Sequence, residues 1–375
     1  MTALQLPAGH RVVVHSFAES PEDALAEGIT LQPMAAPTVD QLGPTDVVVA
    51  VHSAAVGWVD LLMTSGQYQH LPQPPYTPGL ECAGTIAYLG PQAPQTLQLG
   101  QAVIVDGLQV GPRSLGAYQQ WGSFATYVVA PAAAVLPVPG ALSLDQAAAL
   151  LSSYETAYHC LIARGRLIAG ETVLVLGASG ATGLAAVQLA KISGATVIAV
   201  GRSDEKLAIV ADHGADHVVN CSDGAGGTRQ FRGDIKNLTA GRGVDMVYDG
   251  VGGAVGLEAL RCTRFGARVL VVGWASTPGV AHGKGLRGAP NANQLPTNLI
   301  LMKSLDVLGC PTAIATAMDP LLRAPRLQQV LAWAQAGQIV PHVSHVFGLT
   351  EFRQAMLAKW RSECVGACVL RIAGG

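Results

Sequence analysis

Two short clusters in the middle of this chain have the residue types and spacing to hold a phosphorylated ligand. The first is Ala178-Ser179-Gly180-Ala181-Thr182-Gly183, entered through Gly177. In the A-x-G-x-x-G spacing, the missing Cβ at Gly180 lets backbone approach a pyrophosphate, and the one at Gly183 lets a helix lie close on a strand. The second cluster is Gly201-Arg202-Ser203 with Lys206. It places donors where an acid would otherwise accept hydrogen bonds from an adenosine ribose. A hydrogen bond to a charged group contributes about 1.5–3 kcal/mol, so one Arg and one Lys are enough to select a 2′-phosphate. The pair of clusters reads as an NADPH site. The competing reading is a structural glycine turn, with Arg202 and Lys206 as solvated residues opening a helix behind Asp204 and Glu205.

These residues need elements to position them. Val173-Leu174-Val175-Leu176 follows Thr172 and leads into the glycine turn; a small-residue amphipathic stretch and a second apolar run, 195–200, come next. That is strand, phosphate turn, helix, strand, with the helix's free N–H groups and positive dipole end facing the phosphates. Further apolar runs at 217–220, 244–248, 267–272 and 305–309, spaced by helical stretches, extend the pattern. The expectation is α/β, with a doubly wound parallel sheet.

Before residue 140 the pattern is β-rich, with short apolar runs at 12–14, 47–51, 84–88, 102–105 and 125–129. After Pro311 the pattern predicts helix 321–336, strand 340–346, helix 350–359 and strand 368–372, a tail with no room for its own core. The predicted domains are 1–140, completed by 312–375, and 141–311. Two segments, 106–122 and 276–296, are long and irregular, which in a compact domain marks function or movement. The second reads equally as a lid or as a passive surface insertion.

Half of the 375 residues are hydrophobic and only 13% are charged, far from a disordered composition. A net charge of −2 without a Lys/Arg run excludes nucleic acid as the main partner. No apolar stretch reaches the ~18 residues of a membrane span, and no signal pattern opens the chain, so the expectation is a cytoplasmic protein. Seven cysteines without a C-x-x-C spacing read as free buried thiols in a reducing compartment.

Several stretches together resemble the zinc-independent quinone oxidoreductase branch of the medium-chain dehydrogenase/reductase superfamily. They are Pro78-Gly79-Leu80-Glu81-Cys82-Ala83-Gly84, Leu150 to His159, the glycine turn, Gly241 to Asp245, Tyr248-Asp249-Gly250-Val251-Gly252-Gly253 and Asn298 to Lys303. The resemblance implies a GroES-like β-barrel catalytic domain and a Rossmann domain, with substrate and nicotinamide between them. It implies cofactor contacts at Thr156, Asn220, Val251, Gly273 and Trp274 beside the turn, and a homodimer joined near residues 305–310. Zinc-dependent relatives hold their metal with Cys, His and Cys; the matching positions are Gly57, Leu80 and Ser152. Tetrahedral zinc takes N or S ligands, so no metal is expected.

In such a branch NADPH delivers hydride to a quinone or to the β-carbon of an enone. Tyr68 aligns with a tyrosine near the substrate of related reductases and is one candidate proton donor, water being the other. Asp60 is a second candidate, although Asp60 and Glu81 read more readily as structural ion-pair partners. His159 reads as a satisfied core histidine. The chain departs from the branch at Gly57, where Asn is usual, at Cys221 and at Gly366-Ala367-Cys368. Two other functions stay open: a CoA-thioester reductase, with Arg113, Lys284 and Arg287 toward the CoA phosphates, and a catalytically inactive NADPH-binding protein.

Overall fold

A computed structural model describes residues 6–68, 70–114, 116–140, 142–276 and 293–372. The chain divides into two compact units, residues 1–152 with 343–375, and residues 153–342.

The first unit opens with an antiparallel pair, β1 (Gly9–Val14) and β2 (Ile29–Met34). It continues through β3 (Asp46–Ala55), β4 (Cys82–Leu89), β5 (Ala102–Val105), β6 (Tyr127–Pro131) and β7 (Val135–Pro137). Alternation along β3 serves two cores, as the period of two along a strand requires. Val47, Val49 and Val51 pack with Val103, Val105 and Val128, whereas Val48 packs with Met34, Tyr127 and Val129.

The second unit carries β8 (Thr172–Leu176), β9 (Thr196–Gly201), β10 (His217–Asn220), β11 (Val244–Asp249), β12 (Thr263–Val271) and β13 (Asp306–Gly309). They form one parallel sheet in the order β10-β9-β8-β11-β12-β13. Every residue of β8 and of β11 is buried, as in a sheet covered on both faces. Strand order reverses between β8 and β11, and open α/β sheets bind ligands at the carboxyl ends of the strands at such a switch. The expected α/β architecture and the six predicted strands are present.

The chain then returns to the first unit with β14 (Val343–Gly348) and β15 (Ala367–Arg371). β15 runs parallel to β14 and antiparallel to β3, completing a seven-stranded sheet. The division therefore differs from the predicted 1–140, 312–375 and 141–311. Helices Thr312–Met318 and Arg323–Gln335 belong with the second unit. The physical reason is a buried ion cluster: Arg323 Nη2 and Arg326 Nε donate to Glu155 at 2.8 and 2.9 Å. Gln188 adds a clasp, exchanging hydrogen bonds with both backbone groups of Val340. Strands β2 and β7 were not foreseen, because β2 interrupts its apolar pattern with Gln32 and Pro33 and β7 is three residues long.

Candidate functional site

The glycine turn sits at the switch point, between the end of β8 and helix Ala181–Ile192. Gly177 takes φ of +63°, a left-handed conformation that suits glycine, and a Cβ there would press on Val251. A Cβ on Gly183 would overlap the carbonyl oxygen of Gly177, so this glycine fixes how closely helix and strand pack. A Cβ on Gly180 would meet only the Gly177 oxygen, at 3.3 Å, and otherwise open space. No side chain caps the helix at Gly180. The first-turn amides of Ala181, Thr182 and Gly183 thus keep their anion-binding capacity. Ala178 is pinned by its N–H to Val200 O at 3.1 Å, and Ser179 is half-buried beside it. These features fit a pyrophosphate.

At the end of β9, Gly201 is buried against Leu207, and Arg202 is exposed, with no hydrogen bond or ion pair to the described residues. Ser203 caps the next helix, Asp204–Asp212, by accepting from Lys206 N–H at 3.4 Å. No carboxylate occupies position 201, where a ribose-binding acid would stand. Asn220 ends β10 and is committed locally: its amide donates to Asp204 at 2.9 Å, and its side-chain oxygen accepts from Ser222 N–H at 2.9 Å.

The loops after β11 and β12 are laced together at the same edge of the sheet. Asp249, buried, accepts from Val251 N–H at 3.0 Å and Gly252 N–H at 2.7 Å. Burial raises its pKa, opposed by those two bonds. Ser276 Oγ donates to Gly252 O at 2.9 Å, and Gly273 N–H donates to Asp249 O at 3.1 Å. Trp274 is 43% exposed and its backbone lies against Gly252, so it is a surface ring rather than a core one. The sequence reading missed Asp249, although it lay inside a quoted motif; its signal was an acid followed at once by glycines. Thr156 stands half-buried on helix Leu151–Tyr158. Most of segment 276–296, with Lys284 and Arg287, lies outside the described residues.

In the first unit Asp60 is 2% exposed. Its carboxylate accepts from Gly57 N–H at 2.8 Å and Gly79 N–H at 3.2 Å. Glu81 accepts from Ser152 N–H at 2.9 Å. Among the described residues neither forms the expected ion pair; each ties two chain segments together through backbone amides. Burial pushes both carboxyls up to about 7, with the amide bonds and the charge of Arg113 acting the other way. With both oxygens on backbone, Asp60 positions the loop rather than touching a reactant. Tyr68 is half-buried after helix Trp58–Thr64, with its ring edge-on to His70 at 6.4 Å.

The three positions that match zinc ligands do not fit the metal. Gly57 has no side chain, Leu80 is a buried hydrocarbon, and Ser152 offers a hydroxyl where thiolate is needed. Among the described residues no group of three or more His, Cys, Asp or Glu is placed to hold a metal ion. His159 departs from expectation as well. It is buried, but its Nε2 has no hydrogen-bond partner, and burial beside Arg326 and Arg164 holds its pKa down at about 4.

Comparison with known proteins agrees with this geometry. Residues 43–140 match the alcohol dehydrogenase GroES-like domain, and residues 181–322 match the zinc-binding dehydrogenase family. A quinone oxidoreductase-like protein 2 homolog from Nematostella vectensis is 32% identical over 335 residues, 89% of this chain and 83% of that one. Quinone oxidoreductase-like protein 2 from Mus musculus is 31% identical over 93% of this chain and 90% of its own. The solved structure of a probable oxidoreductase from Mycobacterium abscessus superposes with a TM-score of 0.76 at 28% identity, covering 97% of this chain and 99% of that one. A mycobacterial structure complexed with NADPH shares the fold, with a TM-score of 0.74 at 24% identity over 96% of this chain and 99% of that one. The fold and the glycine turn define a medium-chain dehydrogenase/reductase, a class of oxidoreductases. Within that superfamily the chain belongs to the quinone oxidoreductase-like branch.

Proposed function

We propose that this chain uses NADPH to reduce quinones or α,β-unsaturated carbonyl compounds without a metal. The observation that carries the reading is an uncapped, glycine-lined phosphate turn beside a strand end that lacks an acid and presents Arg202. The names of its relatives, quinone oxidoreductase-like proteins and prostaglandin reductase-3, support the class of acceptor.

NADPH supplies the hydride when bound. Gly180 and the amides of Ala181, Thr182 and Gly183 would hold its pyrophosphate, and Arg202, Ser203 and Lys206 would hold the 2′-phosphate. The hydride it would supply is destined for a quinone carbon or for the enone β-carbon. The displaced π pair moves to oxygen, where conjugation carries the charge. Tyr68 then gives its phenolic proton to the enolate and is reprotonated from water. Asp60 keeps the 57–60 turn in place from beneath.

Two observations shape the rest of the proposal. Gly57, Leu80 and Ser152 offer no zinc donor set, so the substrate's oxygen is stabilised by other means. β13 is an edge of its sheet, and Leu301 and Met302 on the preceding helix, Thr297–Lys303, are 81% and 73% exposed. We read that edge as the seat of a second copy.

The test is NADPH oxidation with 1,4-benzoquinone, methyl vinyl ketone and crotonyl-CoA. Turnover with either of the first two, and little with the thioester, is expected. Tyr68→Phe should lower turnover roughly 100-fold, within the range of general acid catalysis, with NADPH affinity unchanged. Undiminished turnover would make water the donor. Oxidation with none of the three acceptors would rule out the reductase reading.

A further inference from the structure

Segment 106–122 is irregular in sequence, and its described residues, 106–114 and 116–122, are clamped against residues 77–81, the stretch that carries Leu80 and Glu81. Three glycines allow the approach. A Cβ on Gly107 would overlap the Leu80 oxygen, one on Gly122 would overlap the Thr77 oxygen, and one on Gly111 would lie 3.3 Å from the Gly79 oxygen. The return strand is fastened by Ser123 N–H to Gly79 O at 3.1 Å and Phe124 N–H to Pro78 O at 2.9 Å. Within the loop, Gly111 N–H donates to Tyr118 O at 3.0 Å, and Ser114 N–H and Oγ both donate to Gly111 O at 2.9 and 2.8 Å.

Arg113 sits at the tip of that inner turn. Its Nε is buried with no hydrogen-bond partner, and the guanidinium makes no ion pair with the described residues. The two buried carboxyls within its field, Asp60 and Glu81, spend their oxygens on the amides of Gly57, Gly79 and Ser152. The Tyr76 hydroxyl, in a residue 6% exposed and next to Asp60 electrostatically, also lacks a partner. A buried guanidinium N–H left unpaired is costly unless a ligand completes it. The charge thus acts on the two carboxyls tied to the amides of Gly57, Gly79 and Ser152, and Nε is an unspent donor on the loop that packs against Gly79 and Leu80.

We propose that Arg113 is the electrophile of this site: its guanidinium takes the acceptor's carbonyl oxygen in the place where zinc-dependent relatives keep their metal. The inference rests on the reductase reading and adds to it the group that holds the developing oxyanion. A guanidinium is always charged and offers forked donors, which suits an oxygen that gains charge as hydride arrives. It also removes Arg113 from the residues available to a CoA phosphate.

The test uses 4-nitrophenolate, an oxyanion on a conjugated ring, titrated into the purified full chain and followed by its visible absorbance. The wild type should bind it with a spectral shift. Arg113→Gln should bind at least tenfold more weakly, and Arg113→Lys should fall between, with NADPH affinity unchanged in both. In turnover, Arg113→Gln should raise KM or lower kcat for benzoquinone at least tenfold. If Arg113→Gln fails to fold, judged by its thermal transition, the lysine variant decides by the same measurements. Equal phenolate binding by wild type and variant, or none by the wild type, overturns the proposal. Arg113-dependent phenolate binding in a protein that oxidises no NADPH would keep this site and remove the reductase reading.

Discussion

At the residue scale, coenzyme choice lies with very few atoms. Arg202 is exposed and uncommitted, whereas Asn220 is already spent on Asp204 and Ser222. Arg202→Ala should therefore raise KM for NADPH about tenfold or more, the worth of a charge-assisted bond, and leave KM for NADH nearly unchanged. Steady-state kinetics with both coenzymes checks this, and equal effects would detach Arg202 from the 2′-phosphate. Glu81 gives a pH prediction. Its folded pKa, about 7, lies above the ordinary carboxyl value, so the native state holds the proton more tightly than the unfolded chain does. Its stabilising effect is full at acid pH and is lost as pH climbs through about 7. Asp60 acts in the same direction. Glu81→Gln can still accept from Ser152 N–H, and should flatten part of the fall in melting temperature between pH 4 and 7. An unchanged slope would mean that Glu81 is ionised normally in the folded chain. Gly180, Gly183 and Arg202 were legible in sequence because the motif is local. The orphaned Nε of Arg113 was not, since its surroundings come from segments dozens of positions away.

At the element scale, the periodic segments were readable and the boundary was not. All six strands of the parallel sheet announce themselves as apolar runs, and in the inner strands β8, β9 and β11 cover on both faces removes the need for polar alternation. Nothing local in the helix Arg323–Gln335 says which unit it joins. That depends on Glu155, 171 residues before Arg326. Arg326 is 2% exposed and holds Glu155 together with Arg323. Removing the only carboxylate of this trio leaves two guanidinium charges facing each other in low dielectric. Glu155→Gln should cost about 3–5 kcal/mol, read as a lower denaturant midpoint of the second unit. A loss below ~1 kcal/mol would show that solvent reaches the cluster.

At the scale of the whole molecule, the apolar edge of the second unit has a measurable consequence. A second copy on β13 would cover Leu301 and Met302, so the wild type should sediment as a dimer. The pair of substitutions Leu301→Glu and Met302→Glu should shift it to monomer with NADPH binding kept. A wild-type monomer at micromolar concentration would remove that edge from consideration. No helix among the described residues is long and apolar enough to cross a membrane.

The position of β15 bears on how the chain is made. Its backbone meets β3 at Ser53–Ala55, and Val56 N–H reaches Cys368 O at 2.8 Å. Strands born more than 300 positions apart must thus find each other, with the whole second unit emerging in the interval. The ribosome delivers the opening strands first, but they are the last to gain all their neighbours. During translation the early valine-rich ribbon waits unfinished, and it is there that a nascent-chain chaperone would be needed.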